Sequence, residues 1–308
     1  MKTLVTGGAG FIGSHVAEAL VKQGHDVLIF DNFVTGHREN VPAGASIREI
    51  DIIDEAAAKA LKDFRPDAVF HHAAQMDVRK SVADPVFDAT TNVVGTVRLL
   101  EAARDVGVEY FQLASTGGAI YGDHDIRPTP EDAVLQPVSP YGVSKLSCEH
   151  YVDYFAQQSG MRGTSLRYGN VFGPRQDPHG EAGVVAIFTL KMLHGETPTI
   201  FGDGKQTRDY VYVSDVVDAV LASWSTESAA GAFNVGTGIE TDVNLLAEAI
   251  AQVIGFEHSV PHGPAQPGEQ RTSCIDVSRG QRELGWAPKF GLKDGLELTV
   301  PWFRENRL

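Results

Sequence analysis

Tyr141 and Lys145, in the stretch "SPYGVSK", stand four residues apart, just after a Ser-Pro pair that reads as a helix N-cap and first turn. That spacing puts a phenol and an ammonium on one helix face. A phenol ordinarily titrates near pH ~10, and an adjacent ammonium, joined by any second cation in the site, would draw it toward neutrality, where a general base works best. Tyr-x-x-x-Lys also arises by coincidence, so its weight depends on what surrounds it.

A second group lies at the start of the chain. "TGGAGFIG" spaces Gly7, Gly10 and Gly13 directly after the apolar run "TLVT" and at the opening of a helix-period segment. Glycines there permit a tight turn and let the first amides of the helix approach a pyrophosphate. Asp31 ends the run "DVLIFD", 18 residues past Gly13, where a carboxylate binds both hydroxyls of an adenosine ribose. The same charge repels a 2′-phosphate, which favours NAD over NADP. "DIID", at 51–54, follows a third apolar run, so Asp51 can reach the adenine amino group, while Asp54 suits a helix N-cap equally well.

These residues need a frame. Short β-branched runs alternate with helix-period segments: strands at "TLVTG", "DVLIFD", "IREID", "PDAVFHHAA", "EYFQLAS" and "GTSLRYGN", with helices near 12–23, 55–63, 92–106 and after Tyr141. Strand and helix in turn predict an α/β fold, a Rossmann-type doubly wound parallel sheet. Beyond Pro174 the rhythm loosens into Gly- and Pro-rich pieces. We expect an NAD-binding domain over 1–169 and a smaller mixed α/β lid over 170–308, with segments near 207–236 folding back onto the first sheet.

The bulk properties exclude several roles. With 308 residues, 43% of them hydrophobic, the chain can bury a large core. A net charge of −14, without runs of Lys or Arg, disfavours a nucleic-acid partner. Apolar runs are too short to span a membrane, and the N-terminus reaches glycines before any leader core, so the expectation is a soluble cytoplasmic protein. Cys148 and Cys274 lie far apart, as ordinary reduced thiols. His71 and His72 are consecutive on a strand and face opposite ways, His124 and His179 sit in polar loops, and no ligand cluster predicts a metal.

With TGGAGFIG, Asp31, "HHAAQ", Asn92, "STGGAIYG", "SPYGVSK", "LRYGNVFGPRQDP", "FGDGKQTRDYVYV" and "NVGTG" in view, nearly the whole chain resembles the extended short-chain dehydrogenase/reductases. Within that family it is most similar to the UDP-glucose 4-epimerases. The resemblance implies a tightly held NAD that takes a hydride from carbon 4 of a UDP-sugar while Tyr141 takes the 4-hydroxyl proton. The 4-keto sugar then turns over and is reduced on its other face. Lys145 would hold the nicotinamide ribose. Around the cofactor the resemblance places Gly7, Gly10, Phe11 and Ile12, then Asp31, Asn32, Asp51 and Ile52. Further along it places Ala73, Ala74, Gln75 and Asn92 there, with Ser115 and Tyr168. Asn170 and Arg208 would hold the diphosphate, a salt bridge of Arg208 with Asp209 being the lesser alternative. Glu269 would hold the uridine ribose. The family's dimer, a four-helix bundle, would use the stripe Cys148, Tyr151, Val152 and Phe155, which could also be core.

Three positions depart from the family pattern. Many relatives carry a serine or threonine four residues before the tyrosine of "YG", donating to the sugar's 4-oxygen; here that position is Gly117. Thr116, or a water, could replace the donor, the pair Gly117-Gly118 lending flexibility. Gly117, Gly118 and Ala119 supply no acid pair, which argues against dehydration. Ser273 stands where a tyrosine restricts some relatives to glucose and galactose, so it leaves room for N-acetylated sugars. Gln266 replaces a common phosphate-binding arginine, for which Arg271 could compensate. A decarboxylase and a catalytically silent NAD and nucleotide-sugar binder remain alternatives.

Overall fold

The computed structural model describes residues 1–178, 183–265 and 270–308; His179, Gln266 and Glu269 lie outside the described residues. In chain order come β1 (Lys2–Thr6), α1 (Phe11–Lys22), β2 (Asp26–Asp31), β3 (Ser46–Glu49), α2 (Glu55–Phe64) and β4 (Ala68–His71). Next are α3 (Val78–Ala83), α4 (Pro85–Ala89), a π-helical turn (Thr90–Val94), α5 (Gly95–Val106), β5 (Tyr110–Thr116), α6 (Gly117–Ile120), α7 (Pro140–Ser159) and β6 (Arg162–Tyr168). The remainder comprises β7 (Asn170–Phe172), α8 (Val184–Leu193), β8 (Ile200–Phe201), β9 (Thr207–Tyr212), α9 (Val213–Ser225) and β10 (Gly231–Val235). It ends with β11 (Glu240–Asp242), α10 (Val243–Ile254), β12 (His262–Gly263), α11 (Ser278–Leu284) and α12 (Leu292–Asn306).

Seven strands form one parallel sheet in the order β10-β6-β5-β4-β1-β2-β3. This is the Rossmann-type doubly wound sheet that the alternation of runs predicts. Strand periodicity explains why both faces are apolar. Val5, Ile29, Phe70, Tyr110 and Leu166 join α1 and α9 on one face, while Leu4, Leu28, Val69, Phe111 and Leu113 join α2, α5 and α7 on the other. A third apolar cluster, with Phe172, Phe188, Tyr212, Leu246 and Leu296, lies beneath the three-stranded sheet β11-β9-β7.

Two sequence segments divide in ways their composition hides. "GTSLRYGN" breaks into β6 and β7 at Gly169, where a Cβ would lie 2.7 Å from the carbonyl oxygen of Asp209. "YVYVSDVVDAVLASW" also divides: β9 pairs with β7 and β11 in the small sheet, while α9 packs on α1; beyond it, β10 joins the large sheet beside β6. The apolar stripe on α7 belongs mostly to the core. Cys148, Val152 and Phe155 are 1%, 0% and 5% exposed, whereas Val143, Tyr151 and Tyr154 look outward. Among the described residues no helix is long and apolar enough to cross a membrane.

Candidate active site

The glycine turn is shaped by backbone approaching backbone. Gly7 has φ +67°, and its N–H donates to the Phe30 carbonyl at 2.7 Å. A Cβ on Gly7 would come within 2.7 Å of the Ala73 nitrogen, and one on Gly13 within 2.2 Å of the Gly7 oxygen. Only glycine lets β1, the end of β4 and the first turn of α1 meet this closely. Gly10 is the N-cap, and no side chain caps the helix there, nor does its first turn hold an acid. The first amides of α1, opening with Phe11 and Ile12, thus keep their hydrogen-bonding capacity and the positive end of the helix dipole for an anion.

Asp31, 6% exposed at the end of β2, braces this turn. Its Oδ2 accepts from the Ala9 N–H and its Oδ1 from the Phe33 N–H, each at 2.9 Å. A carboxylate has further lone pairs, which suits it to ribose hydroxyls as well. Asn32 donates to Asp51 Oδ2 at 2.8 Å, linking the ends of β2 and β3, and Ile52 is buried against Gly95. The cradle of glycines, the uncapped helix start and the braced acid together fit a dinucleotide.

Further along the sheet edge, Ala73 donates from its N–H to Thr6 Oγ1 at 3.2 Å, and Ala74 follows it. Gln75 and Asn92 then exchange two bonds: the Gln75 N–H donates to Asn92 Oδ1, and Asn92 Nδ2 donates to the Gln75 carbonyl, both at 2.9 Å. Asp88, fully buried, accepts from Gln75 Nε2, Asn92 Nδ2 and Ser144 Oγ at 2.9, 3.1 and 2.6 Å. Asn92 sits in the π-helical turn, and its carbonyl accepts from Thr96 Oγ1 and Cys148 Sγ at 2.5 and 3.2 Å. Such turns often mark functional sites because they redirect a side chain.

On α7, Ser139 caps the helix by accepting from the Gly142 N–H, and Pro140 opens it. Tyr141 donates from its N–H to Ser81 Oγ at 3.2 Å. Lys145 is buried; its Nζ donates to the Ala114 carbonyl at 3.0 Å and lies 6.0 Å from the centroid of the Tyr141 ring. The sequence leads one to expect a lowered Tyr141 phenol. In the protein alone it is raised, by burial first and then by Asp88 and Cys148. Burial likewise lowers Lys145. A low-dielectric site disfavours each charged form, and the ammonium is directed at a carbonyl rather than at the phenol oxygen.

The side chains of Ser115 and Tyr168 are engaged inside the fold. Ser115 Oγ donates to Glu149 Oε1 at 2.5 Å, while the Tyr168 hydroxyl accepts from Gln112 Nε2 at 3.3 Å and lies 3.2 Å from His72 Nε2. Ser115 has thus committed its proton to Glu149 and keeps only acceptor capacity.

At the other end of the site the two-glycine segment meets residues from distant parts of the chain. Thr116 caps α6, its Oγ1 accepting from the Ala119 N–H at 3.2 Å. A Cβ on Gly117 would come within 2.8 Å of Ile275 Cδ1 and 3.3 Å of the Tyr168 oxygen. The room a serine would need there is thus filled by Ile275. Gly118 is open by contrast: a Cβ on it would lie 3.8 Å from Asn170 Oδ1 and 3.9 Å from both Ser273 Oγ and Thr116 Oγ1. Three polar groups from β5, β7 and the strand-like segment before Asp276 therefore converge on one spot. The spot adjoins α7, since a Cβ on Gly142 would reach the Ala119 oxygen at 2.5 Å.

Arg208 lies on β9, with its Nη1 donating to the Thr207 carbonyl at 2.7 Å. Its neighbour Asp209 is fully buried and accepts from Thr237 N–H and Oγ1, the Gly238 N–H and the Ile275 N–H. Asp209 thereby fixes Ile275 over Gly117. Arg271 grips Asp203 through two bonds of 2.8 and 2.7 Å. Sequence reasoning did not single out Ser81, Asp88, Glu149, Arg167 or Ile275. Only Glu149 carried a signal: a carboxylate eight residues after Tyr141 on the same helix face, among apolar neighbours.

Residues 3–236 match the NAD dependent epimerase/dehydratase family. The chain belongs to this family. It is 44% identical over 311 residues to the UDP-glucose 4-epimerase of Mycolicibacterium smegmatis, covering 99% of each chain. The UDP-glucose 4-epimerase of Thermotoga maritima, solved with UDP-glucose, is 46% identical and superposes with a TM-score of 0.97 over 100% of both chains. That of Thermus thermophilus, solved with NAD, is 45% identical, with a TM-score of 0.93 over 99% of this chain and 100% of the other. The cofactor of the family is NAD, in keeping with the acid at Asp31.

Proposed function

We propose that the chain is a UDP-glucose 4-epimerase that interconverts UDP-glucose and UDP-galactose and leaves room for their N-acetylated counterparts. The observation that carries this reading is the meeting of Thr116, Asn170 and Ser273 around Gly118, beside the first turn of the helix that bears Tyr141 and Lys145. A hexose placed there is surrounded by hydrogen-bonding groups and lies close to the first turn of α7, which carries Tyr141.

NAD, when bound, supplies a hydride acceptor that becomes the donor, and a positive ring that opposes the rise in the Tyr141 phenol. Tyr141 takes the proton of the sugar's 4-hydroxyl and returns it after the 4-keto sugar has turned over. Lys145 holds the nicotinamide ribose, its ammonium already aimed by the Ala114 carbonyl. Thr116 Oγ1 accepts from Ala119 and keeps its own proton to donate, so it stands in for the hydroxyl missing at Gly117. Asn170 and Arg208 hold the diphosphate, with Arg271 able to help once Asp203 releases it. Glu269, outside the described residues, is assigned to the uridine ribose by resemblance alone. Ser273 is small enough to admit an acetamide at the sugar's carbon 2.

In this reading residues 1–169, with α9 and β10, form the NAD-binding domain and the rest of 170–308 the nucleotide-sugar domain. A homodimer forms through the outward face of α7, with Val143 (51% exposed), Tyr151 (41%) and Tyr154 (57%), and through α4, which packs on α7 and exposes Val86 and Phe87. The unpaired cysteines Cys148 and Cys274 are in keeping with a cytoplasmic setting. The test is conversion of UDP-galactose and, separately, UDP-N-acetylgalactosamine by purified protein without added NAD, with products separated and bound NAD identified after denaturation. We expect the gluco epimers of both. No conversion despite bound NAD and UDP-sugar binding would overturn the reading in favour of a silent binder or another reaction.

A further inference from the structure

Two adjacent glycines give a backbone its widest conformational choice, which is a poor way to aim a donor hydroxyl. Yet the segment from Thr116 to Ile120 is held at both ends by one buried ion pair. Glu149 and Arg167 lie 2.7 Å apart, with side chains only 6% and 5% exposed. Glu149 stands on α7, one turn beyond Lys145, and Arg167 on β6 directly opposite Ser115 of β5. Ahead of the segment, Ser115 Oγ donates to Glu149 Oε1 at 2.5 Å. Behind it, the Tyr121 hydroxyl accepts from Arg167 Nη1 at 2.8 Å and donates to Asn234 Oδ1 at 2.7 Å.

The pair itself is fully engaged. Arg167 Nε and Nη2 reach Glu149 through three contacts of 3.0, 3.2 and 2.7 Å, and Nη1 also donates to the Glu131 carbonyl at 3.1 Å. A buried charge pair of this kind is weak evidence for stability, because desolvation offsets its Coulomb gain, but it fixes geometry well. Lys145 adds a parallel bond to Ala114, so β5 is tied to α7 at two consecutive residues, Ala114 and Ser115.

We propose that the Glu149–Arg167 pair, acting through Ser115 and Tyr121, is the positioning device that holds Thr116 against the sugar despite the two glycines that follow it. The pair touches neither substrate nor cofactor. It acts by clamping both ends of a short, glycine-rich segment to the helix that carries Tyr141 and Lys145. This rests on the reading of the site given under Proposed function.

The test removes one hydroxyl at each end and leaves the ion pair intact: Ser115→Ala, Tyr121→Phe and the double variant. For each, kcat and KM for UDP-galactose are measured at 25 °C together with bound NAD and Tm. Each single change should lower kcat several-fold, and the double about 100-fold, more than the product of the singles, with KM shifted less than about threefold and NAD retained. Normal kcat with only a lowered Tm would overturn the proposal, leaving the pair a structural feature. So would an effect confined to KM or to NAD content. The singles keep the test alive if the double does not fold, and a wild-type protein without activity would count against the functional reading rather than against the clamp.

Discussion

Gly7 and Gly13 stand where a methyl group would strike backbone, 2.7 Å from the Ala73 nitrogen and 2.2 Å from the Gly7 oxygen, whereas Gly118 stands in open space, with its nearest neighbours at 3.8 Å or more. Gly117 falls between them, its neighbour being the Ile275 side chain at 2.8 Å. The same residue type therefore serves two ends. At the cofactor end glycine lets backbone meet backbone, a demand written into a few consecutive residues. At the proposed sugar end it makes room, for the Ile275 side chain at Gly117 and, in the proposed reading, for a ligand at Gly118; Ile275 lies about 160 positions further along the chain.

That contrast can be broken most sharply by the same substitution at both ends. Gly13→Ala must push two backbones apart, so we expect loss of bound NAD and of most folded protein, by absorbance of the released cofactor and by thermal unfolding. Gly118→Ala adds a methyl at ordinary contact distances, in a helical segment where alanine is favoured, so Tm should stay within about 3 °C of the parent. Comparable damage from both would erase the distinction.

Tyr141→Phe should reduce epimerisation by about 10³-fold, within the usual range for a lost general base, while the cofactor end keeps its NAD. Loss of the cofactor in this variant would mean that the two ends are not separable.

A smaller effect concerns acid. His71, buried beneath the glycine turn between Thr6 Oγ1 at 2.6 Å and Thr96 Oγ1 at 2.9 Å, is held well below its ordinary value, chiefly by burial. His72 is lowered to about 4, again mainly by burial. An unfolded histidine takes a proton below pH ~6.5 and these folded ones do not, so stability is complete above that pH and falls as the pH drops toward the folded values. Thermal unfolding between pH 7.5 and 5 should show this loss, and His72→Gln should flatten it.

How much of this could be read from the sequence follows the same division. The strand, glycine turn, helix and Asp31 are contiguous in the chain, and local sterics determine them, so the geometry of this turn was legible, and its assignment to the cofactor belongs to the proposed reading. The pair Tyr141 and Lys145 was legible because helical spacing alone places it. The raised phenol was not, since it depends on burial and on Asp88, which reaches the site from another helix. The stripe on α7 left core and dimer readings open, because periodicity shows that Cys148, Val152 and Phe155 share a face but not which way that face points, and the structure puts these three in the core. Ile275 over Gly117, and the Glu149–Arg167 pair, join segments far apart in sequence that carry no shared motif.

The sugar end turns on whether the hydroxyl missing at Gly117 has moved to Thr116, and Thr116→Val tests this with little change in volume. Measured at equal NAD content, single-turnover conversion of UDP-galactose should fall about 100-fold, as for loss of one donor to a developing oxyanion, with binding of the sugar nucleotide little changed. A variant that converts its substrate at the parent rate would contradict it, and would leave the two-glycine site without the donor assigned to it here.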